Sequence, residues 1–358
     1  MIPRILFLTG VAGMAWAQEA ESGFELRSTV SAESVYSHAL TEEPREGAPM
    51  TGGFQALLYP MWKLDSHWAV SGTIQVHSRP YFPEEFETQG YGVKTNILNA
   101  NISYSRFWKR ASLVARVGQL TSAFGSFLQR YDPALNPLPS VPPGYGYYEA
   151  GVAVQGLAGA QADATIGPFD MRAQFTNSSP ANPRSVFDRD QYGNWTGGAG
   201  YTIRQGLRVG VSAYRGPYLD RHFEFYFPGE APPRDLPASG YGLDVQWGQG
   251  PWNVYGELQR FQMSYRLIPT VNLKTGYAEV RRVLNPRWFA AARIGYSRPH
   301  PYPGFESYEM GAGFRVNASQ VLKFGYTLEH YSGTPGELER TAVIQFVTSF
   351  RAFGIARN

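Results

Sequence analysis

Residues 241–258 read YGLDVQWGQGPWNVYGEL, and the way their side chains alternate decides the fold. Tyr241, Leu243, Val245 and Trp247 are apolar at every second position, Gln249-Gly250-Pro251 breaks the run, and Trp252, Val254, Gly256 and Leu258 resume it. Successive side chains of a strand point to opposite faces, so this stretch predicts a hairpin with one apolar and one polar face. The pattern recurs on both sides. Phe54-Ala56-Leu58 and Trp68-Val70-Gly72-Ile74-Val76 flank Asp65-Ser66-His67, and Ala100-Ile102-Tyr104 and Leu113-Ala115-Val117 flank Lys109-Arg110. Ala160-Ala162-Ala164-Ile166 and Phe169-Met171-Ala173-Phe175 flank Gly167-Pro168, and Ala199-Tyr201-Ile203 and Leu207-Val209-Val211-Ala213 flank Arg204-Gln205-Gly206. Two further hairpins turn at Asn285-Pro286-Arg287 and Asn317-Ala318-Ser319. With a first strand over 24–37 and a last over 338–350, the count is about sixteen. Short connections alternate strictly with long ones, which predicts an all-β, antiparallel, up-and-down barrel.

Composition says where such a barrel belongs. Beyond residues 1–17 no stretch has the long apolar run of a membrane helix, and the mean hydropathy is −0.31, so a membrane-spanning form of this chain must use strands. The aromatic content of 15% and the 39 glycines suit a lipid-facing girdle and close strand packing. Residues 1–17 carry one charge, Arg4, then an apolar run and Ala15-Trp16-Ala17, the pattern of a secretory leader cleaved near Ala17. The expected organisation is therefore a leader (1–17), a transmembrane barrel (18–350) with short periplasmic turns and long outer loops, and a tail (351–358), in a bacterial outer membrane. The chain has no cysteine, which excludes a disulfide framework, a lipoprotein anchor and a thiolate metal site, and its net charge of +3 is too small to argue for nucleic acid.

Six of the 8 tryptophans, Trp62, Trp68, Trp108, Trp247, Trp252 and Trp288, lie beside short turns, as amphipathic indoles do at a membrane boundary. Tyr36, Phe261, Tyr296, Tyr308 and Tyr331 are expected in the opposite girdle. If the apolar parity faces lipid, the other parity lines the lumen. That puts Arg27, Lys63, His77, Arg79, Arg116, Arg172, Arg208, Arg281, Arg293, Arg315 and Lys323 inside, with Glu25, Asp163, Asp170, Asp244, Glu257, Glu279 and Glu329 between them. So polar a wall implies a hydrated channel, and the competing reading is a ladder of cross-strand ion pairs through which nothing passes. Residues 121–147 follow the fifth strand. They hold Phe124, Phe127, Arg130, Tyr131 and Asp132, then Pro133, Pro137, Pro139, Pro142 and Pro143, a stiff, charge-poor segment suited to folding against the wall as a constriction loop.

Gly118-Gln119 followed by Phe124-Gly125 resembles a signature of bacterial porins, particularly the phosphate-selective O/P type, and the hairpin rhythm resembles porins over nearly the whole mature chain. The resemblance implies passive diffusion of small hydrophilic solutes or anions past a loop that narrows the pore, with outer-membrane lipid and lipopolysaccharide as surroundings and a homotrimer as an assembly such proteins form. Here the loop contributes Arg130 where that type carries a dense basic cluster. No set of residues assembles as a nucleophile, a metal site or a nucleotide cradle: His77 and His330 lack hydrolase neighbours, Asp188 and Asp190 have no Asp-His partner pair, and no cofactor is implied. The expectation is a mildly anion-preferring channel without enzymatic activity. The alternative is a closed structural or adhesion barrel whose outer loops bind a partner.

Overall fold

The computed structural model describes residues 22–37, 49–79, 92–145, 155–177, 193–217, 229, 231, 235–332 and 338–357. The expected leader, the acidic residues Glu42, Glu43, Glu46, Glu84, Glu85 and Glu87, the pair Asp188 and Asp190, and residues 146 and 147 of the expected constriction segment lie outside these. The strands are β1 (Ser22–Ser37), β2 (Met50–Lys63), β3 (Trp68–Arg79), β4 (Gly92–Trp108), β5 (Ala111–Leu120) and β6 (Leu157–Ile166). Then follow β7 (Phe169–Thr176), β8 (Asn194–Arg204), β9 (Leu207–Pro217), β10 (Pro237–Gln249) and β11 (Trp252–Met263). The set ends with β12 (Val271–Val283), β13 (Trp288–His300), β14 (Phe305–Arg315), β15 (Gln320–Tyr331) and β16 (Leu338–Arg357). Each pairs antiparallel with its neighbours in chain order, and β1 pairs with β16 to close a barrel of sixteen strands.

Side-chain chemistry accounts for the turns. At residues 64–67 and 284–287 the Asp65 and Asn285 carboxyl and amide oxygens accept backbone N–H groups two and three residues on, at 2.7 and 2.8 Å and at 2.9 and 2.9 Å, a closure that short acidic and amide side chains favour. In β2, Pro60 has no N–H to give, and the pairing with β3 skips from Leu58↔Ile74 to Met61↔Ser71 across it. The alternation of short and long connections is not strict. Residues 301–304, between β13 and β14, form a connection as short as those at the other end. The terminal segment also differs from expectation, because β16 continues through Arg351, with Arg351 opposite Arg27 and Phe353 opposite Leu26, so residues 351–357 are strand and not tail.

The register fixes what faces out. Trp62, Trp68, Trp108 and Trp288 are exposed beside the short turns, Trp195, Tyr36 and Tyr308 are exposed near the other end, and between them lie Ile102, Val117, Val211, Leu243, Ile294 and Ile344, also exposed. An apolar belt of this extent on a closed sheet is stable only against hydrocarbon. Outward charges, such as Arg106, Arg282, Arg260 and Arg298, keep close to strand ends, as expected when a cation facing lipid at the midplane costs about 2–4 kcal/mol. Two girdle assignments are overturned. Phe261 is 1% exposed, faces inward and packs on Phe124, and Tyr331 lies on the inward parity with its hydroxyl on Glu329.

Candidate pore constriction

Among the described residues the larger cluster of buried apolar side chains is inside the barrel, where the loop after β5 meets the wall. Phe124, Phe127 and Leu138 of this loop are 0% exposed. Phe124 inserts opposite Gly240 and Gly242 of β10, and its ring lies 5.1 Å from that of Phe261. Gly125 follows in the left-handed region (φ +70°), and a Cβ there would run into the Tyr145 hydroxyl and the Glu257 carboxylate, so the Phe124-Gly125 pair has a local physical reason. A 3-10 turn, Phe127–Arg130, carries the chain along β11 and β12.

Each turn of the loop is tied to a strand by a polar anchor. Ala123 donates to Gln174 at 3.1 Å and Gly125 to Ser212 at 3.3 Å. The Glu257 carboxylate accepts from the Ser126 hydroxyl (2.7 Å), the Tyr145 hydroxyl (2.5 Å) and Tyr277 (2.8 Å). Arg130 donates to Glu279 at 2.7 Å while its guanidinium lies 3.7 Å from the Tyr255 ring centre. Burial works against its charge, but Glu279 outweighs this and holds the guanidinium more firmly protonated than usual; Tyr145, buried and beside Glu257, has its pKa pushed up and stays a donor.

Two residues later the loop has crossed the lumen. Asp132 accepts from Thr29 of β1 (2.9 Å) and Tyr59 of β2 (2.5 Å), and the Tyr131 hydroxyl accepts from Gln75 of β3 (3.0 Å). The return path fills the sector from β15 back to β12. Lys323 donates to the carbonyls of Pro133 (2.5 Å) and Asn136 (2.8 Å), Ser140 donates to Glu309 (2.6 Å), and Arg293 bridges Glu279 (2.7 Å), Glu309 (3.1 Å) and the Ser140 carbonyl (3.2 Å). The segment from Arg130 to Asp132 is therefore a chord from β12 to β1 and β2, and on the side of β4 to β10 the described loop hydrogen bonds stop at Gln174 of β7 and Ser212 of β9.

That side carries its own ion pairs. No described hydrogen bond from the loop reaches Asn99, Asn101, Arg116, Asp163, Asp170, Arg208 or Asp244. Arg116 pairs with Asp163 across adjacent strands. Arg208 lies over Gly200 and Gly210, where a Cβ would meet its guanidinium, and reaches Asp170 (2.6 Å) on one side and Asp244 (2.6 Å) on the other. Arg172 shares this inward face.

The inward residues named from sequence thus fall into groups. Arg116, Asp170, Arg172 and Arg208 line the clear side. Glu257, Arg293 and Lys323 are 3%, 2% and 1% exposed and serve as anchors beneath the loop, and Phe124, Phe127 and Arg130 are turned to the wall. Arg27 pairs with Glu25 (2.8 Å), Lys63 is inward at the end of β2, and Arg79 is the last residue of β3, paired with Gly92 of β4. Arg281 and Arg315 face inward on β12 and β14; Arg281 packs 4.8 Å from the Phe289 ring, its Nε is buried without a partner, and no described carboxylate bonds to either. Sequence reasoning missed Glu309, Tyr59, Thr29 and Ser126. The parity of Met310 and Ala312 would have placed Glu309 inside, but no pattern in the chain tells that Tyr59 and Thr29 meet Asp132. Among the described residues no three His, Asp or Glu side chains are arranged to hold a metal ion.

No family model matches the chain, and no curated protein matches it. Solved structures do. The anion-selective porin from Comamonas acidovorans superposes with a TM-score of 0.62 over 92% of this chain and 100% of that one at 11% identity. The outer membrane channel DcaP of Acinetobacter baumannii gives 0.60 over 91% and 97% at 10% identity, and Salmonella typhi OmpF gives 0.59 over 92% and 98% at 10% identity. The fold is that of these barrels.

Proposed function

We propose that this protein is a porin-like diffusion channel of a bacterial outer membrane, secreted with cleavage near Ala17, that passes small hydrophilic solutes between β4 to β10 and a fixed internal loop. The observation that carries the reading is the loop itself. It is pinned across the lumen by charge-assisted bonds at Glu257, Glu279, Glu309 and Asp132, and a barrel serving only as a scaffold has no use for a narrowed, polar-walled passage. The likeness to structures named as porins and channels supports it. Planar-bilayer recording tests it: discrete conductance steps are expected, and their absence at saturating reconstituted protein would overturn it.

We further propose a mild preference for anions. On the clear side Arg116, Arg172 and Arg208 are balanced in number by Asp163, Asp170 and Asp244, so the surplus comes from elsewhere. Arg281 and Arg315, with no bonded carboxylate among the described residues, supply it. The structurally similar porin from Comamonas acidovorans is itself described as anion-selective, which agrees with this sign.

A further inference from the structure

On the outward face one cross-strand row runs without a break from β7 to β13. It starts with three small residues in register, Ala173, Gly197 and Ala213. It passes Tyr241 and ends in three cations, Arg260, Lys274 and Arg298, each directly opposite the next and all exposed. In the adjoining row, nearer the strand ends, Trp195 stands beside Arg215 and packs tilted against Phe175, ring centres 4.7 Å apart. The small residues leave an open trough of about 610 Å³, walled by Trp195 and Tyr241 and reaching Arg215 and Gln262.

Like charges directly opposed on adjacent strands repel, at Cβ separations of about 4.5–5.5 Å. Arg298 has a counter-ion, Glu306 at 2.6 Å, but no described carboxylate bonds to Arg215, Arg260 or Lys274. These cations lie at the level of the outward aromatics, and Arg298 itself sits 5.4 Å from the Tyr296 ring centre. Arginine and lysine stems can run along an apolar surface and lift their charge to a headgroup, and a guanidinium fits phosphate by paired hydrogen bonds. With strands about 4.8 Å apart, Arg215 to Arg298 span about 19 Å, more than one phosphate needs. The cations are also local: at the same end of β1 to β4 the outward residues are Tyr36, Met50, Ser78 and Val93, none of them charged.

Resting on the membrane-barrel reading above, we infer that this face binds an acylated, multiply phosphorylated glycolipid of the outer leaflet. An acyl chain lies along Ala173, Gly197 and Ala213, and the phosphates are held by Arg215, Arg260 and Lys274. The occupant is a lipid and not a free anion, because the cations adjoin an apolar trough on the surface turned to hydrocarbon.

The test uses the full barrel purified in detergent, with lipopolysaccharide, the same material dephosphorylated, and phosphatidylglycerol as probes, and lipid retention read by native mass spectrometry. Wild type should retain lipopolysaccharide. R260S/K274S should retain it at least tenfold less, as should wild type offered the dephosphorylated form, while single-channel conductance stays unchanged. Gly197→Leu should also weaken retention; a Cβ there meets nothing nearer than the Arg172 carbonyl at 3.6 Å, so the barrel tolerates it. Heat-modifiable migration on gels establishes that each variant is folded. Equal retention by the double variant, or equal retention of phosphatidylglycerol, would overturn the inference. A wild-type barrel that conducts but retains no lipopolysaccharide sinks this inference alone, whereas one that retains it and never conducts sinks the channel reading alone.

Discussion

Five donor groups converge on the Glu257 carboxylate: the backbone and hydroxyl of Ser126, Tyr145, Tyr277 and Gln259. A hydrogen bond to a charged group contributes about 1.5–3 kcal/mol, so the anion and not the side-chain shape fixes the start of the loop. Glu257→Gln keeps the volume and removes the charge. It should leave the barrel folded but give larger, noisier single-channel currents, and wild-type currents would show that the remaining anchors suffice. Arg130→Met attacks the other end of the same turn, leaving Glu279 with Arg293 alone; breaking a buried pair by removing one partner costs about 3–5 kcal/mol, less here for that reason. The turn residue Asp65 gives a pH-dependent case. Backbone N–H groups of His67 and Trp68 hold its pKa below the ordinary carboxylate value. Since the folded value is the lowered one, its contribution is complete above the unfolded-state pKa and is lost as pH falls through the folded pKa. Asp65→Ala should therefore lower unfolding stability at neutral pH and flatten its fall in acid, measured by denaturant unfolding across that range.

At the scale of elements, the loop 121–145 behaves as part of the wall. Its proline run could be read from the chain as stiff and unable to join a ladder, and Phe124-Gly125 marked where it turns. Its path could not, since Asp132 meets Thr29 and Tyr59 only because the barrel closes. Deleting residues 135–143 should raise single-channel conductance, because the sector from β13 to β15 would then be open to water. The same deletion takes the Ser140 hydroxyl from Glu309 and the Asn136 carbonyl from Lys323, so it should also lower the temperature of heat-modifiable unfolding. Unchanged conductance in a folded deletion variant would mean that the loop does not limit the passage. The expected tail after Phe350 failed for a related reason: a strand's end is set by how far its partner extends, and β1 continues to Ser22.

For the whole molecule, selectivity is a sum over the lumen. Arg116 and Arg208 on the clear side are paired with aspartates, and charges along a wet pore are screened over about 8 Å at physiological salt, so the net preference should be small. In dilute asymmetric potassium chloride the reversal potential should have the anion-selective sign and shrink as salt rises. Changing Arg281 and Arg315 together to Glu should reverse it. Cation selectivity in the unmodified protein would mean that Asp170 and Asp244 dominate, and the anion assignment would be wrong.

The amino-acid order by itself determined the barrel, the strand number, the inward and outward sides and the girdle beside the short turns. All of these follow from a period of two interrupted at turns, which is local information. It did not determine which inward charges face water. Glu257, Arg293 and Lys323 have the same parity as Arg116 and Arg208, yet they lie beneath the loop while no described hydrogen bond from it reaches the latter pair. Parity gives the face of a strand, but the sector of the barrel against which a loop folds depends on closure. Only the closed sheet brings β1 beside β16 and puts Thr29 and Tyr59 within reach of Asp132.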